Sequence, residues 1–283
     1  MFHGFNLIVP KEDTFLHSYQ YKSSGNKYFK EQEKQLKLFQ ETFTQYVKEG
    51  RLDGDVIQEE WFRSVNANVF ISHSHQDEAL AIALAGFLHK EFNLHPFVDS
   101  KIWGYSENLL NNLVNKYGNH MTGCYCGYRK DNKSCNLMKR YASHVYMMLT
   151  TALVDMMDKC ECLFFLNTQK SCNASQISGM EGTLSPWIYM EMSLSRTIRR
   201  KKLEPDHDKR CKYIAAGVTG RGSIVENVVD ISHSLDLDHL DQLTSSDLQQ
   251  WLNTRKDHGT KFPLDALYRQ QKIFQKRQTN DEL

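Results

Sequence analysis

Apolar residues change their period several times along the chain, and each change marks an element. Residues 1–26 mix polar and aromatic positions without a sustained period and close on Ser23-Ser24-Gly25-Asn26, a composition that predicts a loop. From Tyr28 onward Leu36, Phe39, Phe43, Tyr46 and Val47 recur at helical spacing, and Gly50 stands where a C-terminal cap would fall. That pattern predicts one amphipathic helix. Val69-Phe70-Ile71 is a short continuous apolar run, read as a strand, and Leu80, Leu84, Phe87 and Leu88 follow at helical spacing with Asp77 near the helix start. Phe97-Val98 predicts a second strand ending at Asp99, and Leu109, Leu110, Leu113 and Val114 predict another helix.

A polar stretch, about 118–142, interrupts this alternation with Arg129, Lys130, Lys133, Lys139 and Arg140 and reads as an insertion loop. Val145, Met148, Leu149, Ala152, Leu153 and Met156 then form a clean helical stripe. Cys162-Leu163-Phe164-Phe165-Leu166, apolar at every position, predicts the central strand of a parallel sheet covered on both faces. Ser185-Pro186 opens a further helix, with Ser as N-cap and Pro at the first helical position. Lys212–Ala216 supplies one more candidate strand, and Leu235, Leu237, Leu240, Leu243, Leu248 and Trp251 predict a helical cover. The repeated strand–helix order predicts an α/β fold: an open, mostly parallel, flavodoxin-like sheet with helices on both faces. It is expected over residues 66–232, between an N-terminal extension, 1–65, carrying the amphipathic helix, and a helical C-terminal tail, 233–283.

The composition narrows the partners. With 283 residues, 40% hydrophobic and 24% charged, the chain can bury a substantial core and is neither fibrous nor disordered. Thirty-five Lys+Arg against thirty-four Asp+Glu leave a formal charge of +1, which gives no electrostatic case for nucleic acid or an anionic membrane. No apolar run approaches the roughly 20 residues of a membrane span, and Met1–Pro10 lacks a basic region, so a cytoplasmic location is expected. The seven cysteines show no repeated C-x-x-C spacing and are expected as reduced thiols. His120, Cys124, Cys126 and Cys135 match no common zinc spacing, and no metal is expected.

Open α/β sheets bind ligands beyond the carboxyl ends of their strands. There the chain places Ser72-His73-Ser74-His75-Gln76-Asp77, then Asp99 to Ser106, then Asn167-Thr168. No phosphate-cradling G-x-x-x-x-G-K-[ST] or G-x-G-x-x-G motif is present, nor a G-x-S-x-G elbow or H-E-x-x-H. His73 and His75 alternate on an extended segment and so point apart. In Leu184–Glu191, Trp187 and Glu191 are four apart on the predicted helix and share a face, an arrangement able to flank a flat, charged substrate. Its plainer alternative is a solvated Glu beside a core Trp.

In this order the segments resemble a Toll/interleukin-1 receptor (TIR) domain: Val69–Ser74 with Asp77, Phe97-Val98-Asp99 with Trp103-Gly104-Tyr105-Ser106, Leu163–Asn167, and Ser185-Pro186-Trp187 with Glu191. The resemblance spans about residues 66–217. Its last box is similar to the S-x-W-C-x-x-E that opens the catalytic helix of TIR NAD+-cleaving enzymes, with Ile188 in place of the Cys. The Phe70–Ser74 opening is similar to that of stand-alone bacterial TIR enzymes of anti-phage systems such as Thoeris, which make a nucleotide signal from NAD+. The resemblance implies an NAD+ glycohydrolase or cyclase with Glu191 as the catalytic acid and Ser72, His73, Asp99, Trp103, Gly104, Tyr105 and Trp187 as substrate-binding residues. NAD+ would be substrate, with no separate cofactor.

Nicotinamide leaves as a neutral base, so the transition state is an oxocarbenium-like ribose that an ionised Glu191 would stabilise. Trp187 would fix the acid and limit water, Ser72 and Asp99 would hydrogen-bond the ribose or the amide, and Trp103 with Tyr105 would stack on a ring. The resemblance further implies self-association through the loop 100–106 and a downstream effector reading the product. A non-enzymatic TIR adaptor and a nucleoside-processing enzyme, such as a deoxyribosyltransferase, stay open as alternatives.

Overall fold

The computed structural model describes residues 3–36, 47–48, 51–103, 106–117, 132–174, 181–198, 232–254 and 262–272. Its strands are β1 (His3–Ile8), β2 (Val47–Lys48), β3 (Arg51–Leu52), β4 (Val69–Ser72), β5 (Pro96–Phe97), β6 (Cys162–Asn167), β7 (Asn173–Ala174), β8 (Glu181–Thr183), β9 (His233–Ser234) and β10 (Asp241–Thr244). Its helices are α1 (Tyr19–Leu36), α2 (Gly54–Trp61), α3 (Glu78–Phe92), α4 (Asp99–Ile102), α5 (Ser106–Tyr117), α6 (Asn132–Lys159), α7 (Pro186–Thr197), α8 (Ser245–Thr254) and α9 (Pro263–Gln270). None of these helices is long and apolar enough to cross a membrane.

Five strands form one sheet in the order β10-β1-β6-β4-β5, and every neighbouring pair is parallel. The fold is α/β, and the apolar run Cys162–Leu166 is the central strand, as its burial on both faces predicts. The strand order is not flavodoxin's. Counted along the chain it reads 5-1-4-2-3, against 2-1-3-4-5. Only β5-β4-β6 reproduces the first three places, and β1 and β10 fill the other two.

Both fillers lie outside the 66–232 span expected to hold the sheet. β1 lies in the stretch 1–26, expected to be irregular for want of a sustained period; Gly4 and Asn6 stand on one of its faces, and Phe5 and Leu7 carry the other and are wholly buried. At Gly4 an added Cβ would meet the tip of the Leu240 side chain, which packs over this position. The expected loop Ser23–Asn26 likewise lies inside α1. At Gly25 a Cβ would strike the Ile82 carbonyl, and at Gly86 the Tyr21 carbonyl, so α1 and α3 cross with their backbones almost touching.

Other boundaries also move. Val47 belongs to β2, paired antiparallel with β3, and not to a helix, while Phe39, Phe43, Tyr46 and Gly50 lie outside the described residues. The expected insertion is helical from Asn132, where the polar start of α6 has no apolar stripe to announce it. The candidate strand Lys212–Ala216 lies outside the described residues, and the tail supplies β9 and β10 as well as helices.

Side-chain alternation assigns the two faces. His3, Phe5 and Leu7 share one with Cys162, Phe164, Leu166, Val69 and Ile71. There Tyr268 of α9 lies near-parallel to Phe5, with ring centres 6.1 Å apart. Asn6, Phe165, Phe70 and Ser72 share the other, where Phe70, Phe97, Trp103 and Phe62 run ring to ring.

Candidate active site

From β4 the chain runs to β5 on one side and returns to β6 on the other, so the ends of β4 and β6 flank the topological switch point of this part of the sheet. Ser72 ends β4. α7 reaches the same place because Ser185 caps it, accepting from the Ile188 backbone N–H at 3.3 Å, with Pro186 pre-set for the first turn. That start brings Glu191, on the second turn, over the end of β4.

Ser72 Oγ donates to Glu191 Oε2 at 2.5 Å. The glutamate is 4% exposed and, among the described residues, pairs with no cation. Burial first, and then the nearby charge of Asp99, push its carboxyl well above the ordinary value of 4.5, and the Ser72 hydroxyl pulls it part of the way back. Burial and a like charge thus both work against the ionised form that the sequence reading expects beside the substrate. A positive charge brought beside the carboxyl would work the other way.

The other expected residues divide. Asp99, half-buried at the start of α4, is close enough to act on Glu191 electrostatically. His73 follows Ser72 directly and is half-buried. Trp187 is half-buried against Tyr146 of α6, with ring centres 5.4 Å apart. Burial and Glu107 raise the Tyr146 hydroxyl, an aromatic partner the sequence did not single out.

Trp103 is a correction. Its indole N–H donates to the Arg63 carbonyl at 2.8 Å, and its ring meets Phe97 and Phe62 edge-on, so at 1% exposure it is core and offers a substrate no stacking face. The single turn of α4 carries it back toward the sheet. Gly104 and Tyr105 lie outside the described residues, and Ile102 of the loop expected to self-associate is buried.

A second buried acid at this edge was read as part of the first strand-end segment and of a helix start, but not as a site residue. Asp77, 5% exposed, accepts from Thr168 Oγ1 at 2.5 Å, and Lys170 Nζ stands 3.4 Å away. The cluster ties the turn after β4 to the turn after β6. No group of three or more His, Cys, Asp or Glu among the described residues is placed to hold a metal ion, and His120, Cys124 and Cys126 lie outside them.

No protein-family model matches the chain, and no curated protein or solved structure matches it.

Proposed function

We propose that this chain is a TIR-like enzyme that breaks the bond between nicotinamide and ribose in NAD+. The observation that carries the reading is the buried Glu191 carboxyl, held by Ser72 at the end of β4 and, among the described residues, paired with no cation. The TIR-like boxes lend support: three of them end β4, β5 and β6, and the fourth opens α7. A pyridinium, and the oxocarbenium that follows its departure, are the kind of charge such a site lacks. Their approach favours loss of the Glu191 proton to solvent, and the resulting carboxylate stabilises the cation as the C1′–N bond breaks. Nicotinamide takes the bonding electrons and leaves neutral. Water capturing the cation yields ADP-ribose and a proton, and an internal nucleophile yields a cyclic product.

Ser72 on this reading orients the acid, and Asp99 and His73 bind the ribose or the amide. On this reading the segment 100–106 serves self-association, and the product serves as a nucleotide signal in bacterial anti-phage defence. Purified protein at high concentration should release nicotinamide from NAD+, and Glu191→Gln should lower the rate by about 10²–10³-fold, the scale of losing one preorganised electrostatic group. Unaltered turnover in that variant sinks the assignment. The second reading, a non-enzymatic adaptor, is favoured by the near-complete cover over Glu191 and predicts no turnover in any assembly state.

A further inference from the structure

One short stretch of the tail grips the helix that carries Glu191. Just before α7, β8 pairs with β9, setting Gly182 opposite Ser234 and Thr183 opposite His233. Tyr189 lies flat on His233, with 4.3 Å between ring centres and 17° between planes. Arg196 meets Asp236 at 3.0 Å, but both are exposed, and an exposed ion pair fixes little. The remaining tie is internal: Ser195 Oγ stands 2.6 Å from His239 Nε2.

Ser195 lies one turn beyond Glu191 on the same face of α7 and has no solvent exposure. Its hydroxyl also donates to the Met192 carbonyl at 2.8 Å. A hydroxyl has one proton to give, so both bonds are satisfied only when His239 Nε2–H donates to Ser195 Oγ. The histidine is itself anchored, because the next residue, Leu240, packs over Gly4 of β1 and leads into β10. Beside the apolar packing of Ile188 and Met192, the buried face of α7 thus has two side-chain hydrogen bonds to the sheet among the described residues: Glu191 to β4 through Ser72, and Ser195 to the β1–β10 side through His239.

We propose that His239 is a positioning residue, which through Ser195 fixes how α7 sits on the sheet and so holds Glu191 against Ser72. Its importance for turnover rests on the reading of Glu191 as the reacting acid, whereas its hold on Glu191 does not. With the second attachment gone, α7 can pivot about the first and admit water to the carboxyl.

The test follows the Glu191 carboxyl directly, by pH titration of the full chain carrying ¹³C-labelled glutamate, with the signal assigned by its loss in Glu191→Gln. His239→Ala and Ser195→Ala should each lower the midpoint toward the ordinary range by about one pH unit or more. The double variant should do no more than either alone, and His239→Gln, whose amide can still donate, should restore most of the wild-type value. A wild-type midpoint in folded Ser195→Ala, the mildest change and so decisive if His239→Ala fails to fold, overturns the proposal. In the NAD+ assay the same variants should lose about tenfold in kcat, as misplaced reacting groups do, with KM changed less than about twofold. If the midpoints move as expected while wild-type protein releases no nicotinamide, the positioning role stands and the NAD+ reading falls. Losses confined to melting temperature, with midpoint and kcat unmoved, also overturn it.

Discussion

Two acids are buried at the same edge of the sheet to almost the same extent, Asp77 at 5% exposure and Glu191 at 4%, and they are treated differently. Asp77 receives a hydroxyl from Thr168 and has the Lys170 ammonium beside it, so its charge is compensated and it serves as a brace between two turns. Glu191 receives a hydroxyl from Ser72, and its electrostatic neighbour is another acid, Asp99. Burying a charge without compensation is costly, and a fold with no use for it does better with an apolar or neutral side chain. The difference therefore separates a structural acid from one kept at a cost for what it can bind.

Removing each acid tests that separation. Asp77→Ala should take away the acceptor of the Thr168 hydroxyl and the carboxylate beside Lys170 and lower stability by about 1–3 kcal/mol, measured by urea unfolding, with turnover per folded molecule little changed. A variant as stable as wild type would put Asp77 outside the bracing role. Glu191→Gln should do the opposite and stabilise the fold by about 1 kcal/mol at neutral pH, as relief of a functional strain does.

The pH dependence of that gain has a definite sign. The folded-state carboxyl titrates above the unfolded value of 4.5, so the acid's stabilising contribution is complete below 4.5 and is lost as pH rises through the folded-state midpoint. The gain from Glu191→Gln should accordingly shrink toward zero as the pH is lowered to that value, and a gain independent of pH contradicts the burial argument. The smallest effect concerns the neighbour: Asp99→Asn removes the like charge, so the rise of activity with pH should shift to lower pH in a kcat/KM profile. A shift to higher pH would mean that Asp99 acts on Glu191 other than by repulsion.

Local signals were legible where side-chain pattern and backbone agree. The runs Val69–Ile71 and Cys162–Leu166 are strands, and Ser185-Pro186 starts α7, because continuous burial and capping are written in neighbouring residues. The inward side of α7 that carries Glu191 was legible for the same reason, being a fixed distance along a helix whose start is marked. β1 was hidden because Gly4 and Asn6 interrupt it and its partners, β6 and β10, are remote in sequence. α1 was obscured by Gly25, whose missing side chain is a requirement of α3 and not of its own helix. Trp103 was misassigned because a Trp after a strand end reads alike whether its ring turns to solvent or, as here, to Phe97 and Phe62. The pairs Asp77–Thr168 and Ser195–His239 join residues whose nearness exists only after folding.

The place of β1 between β6 and β10 also orders the birth of the molecule. It leaves the ribosome ahead of both neighbouring strands, β6 and β10, which follow only after a long stretch of intervening chain. Until then its unpaired backbone amides and the rings beside them need shelter, so nascent chains halted short of β6 should be the ones that chaperones retain and that clump when released.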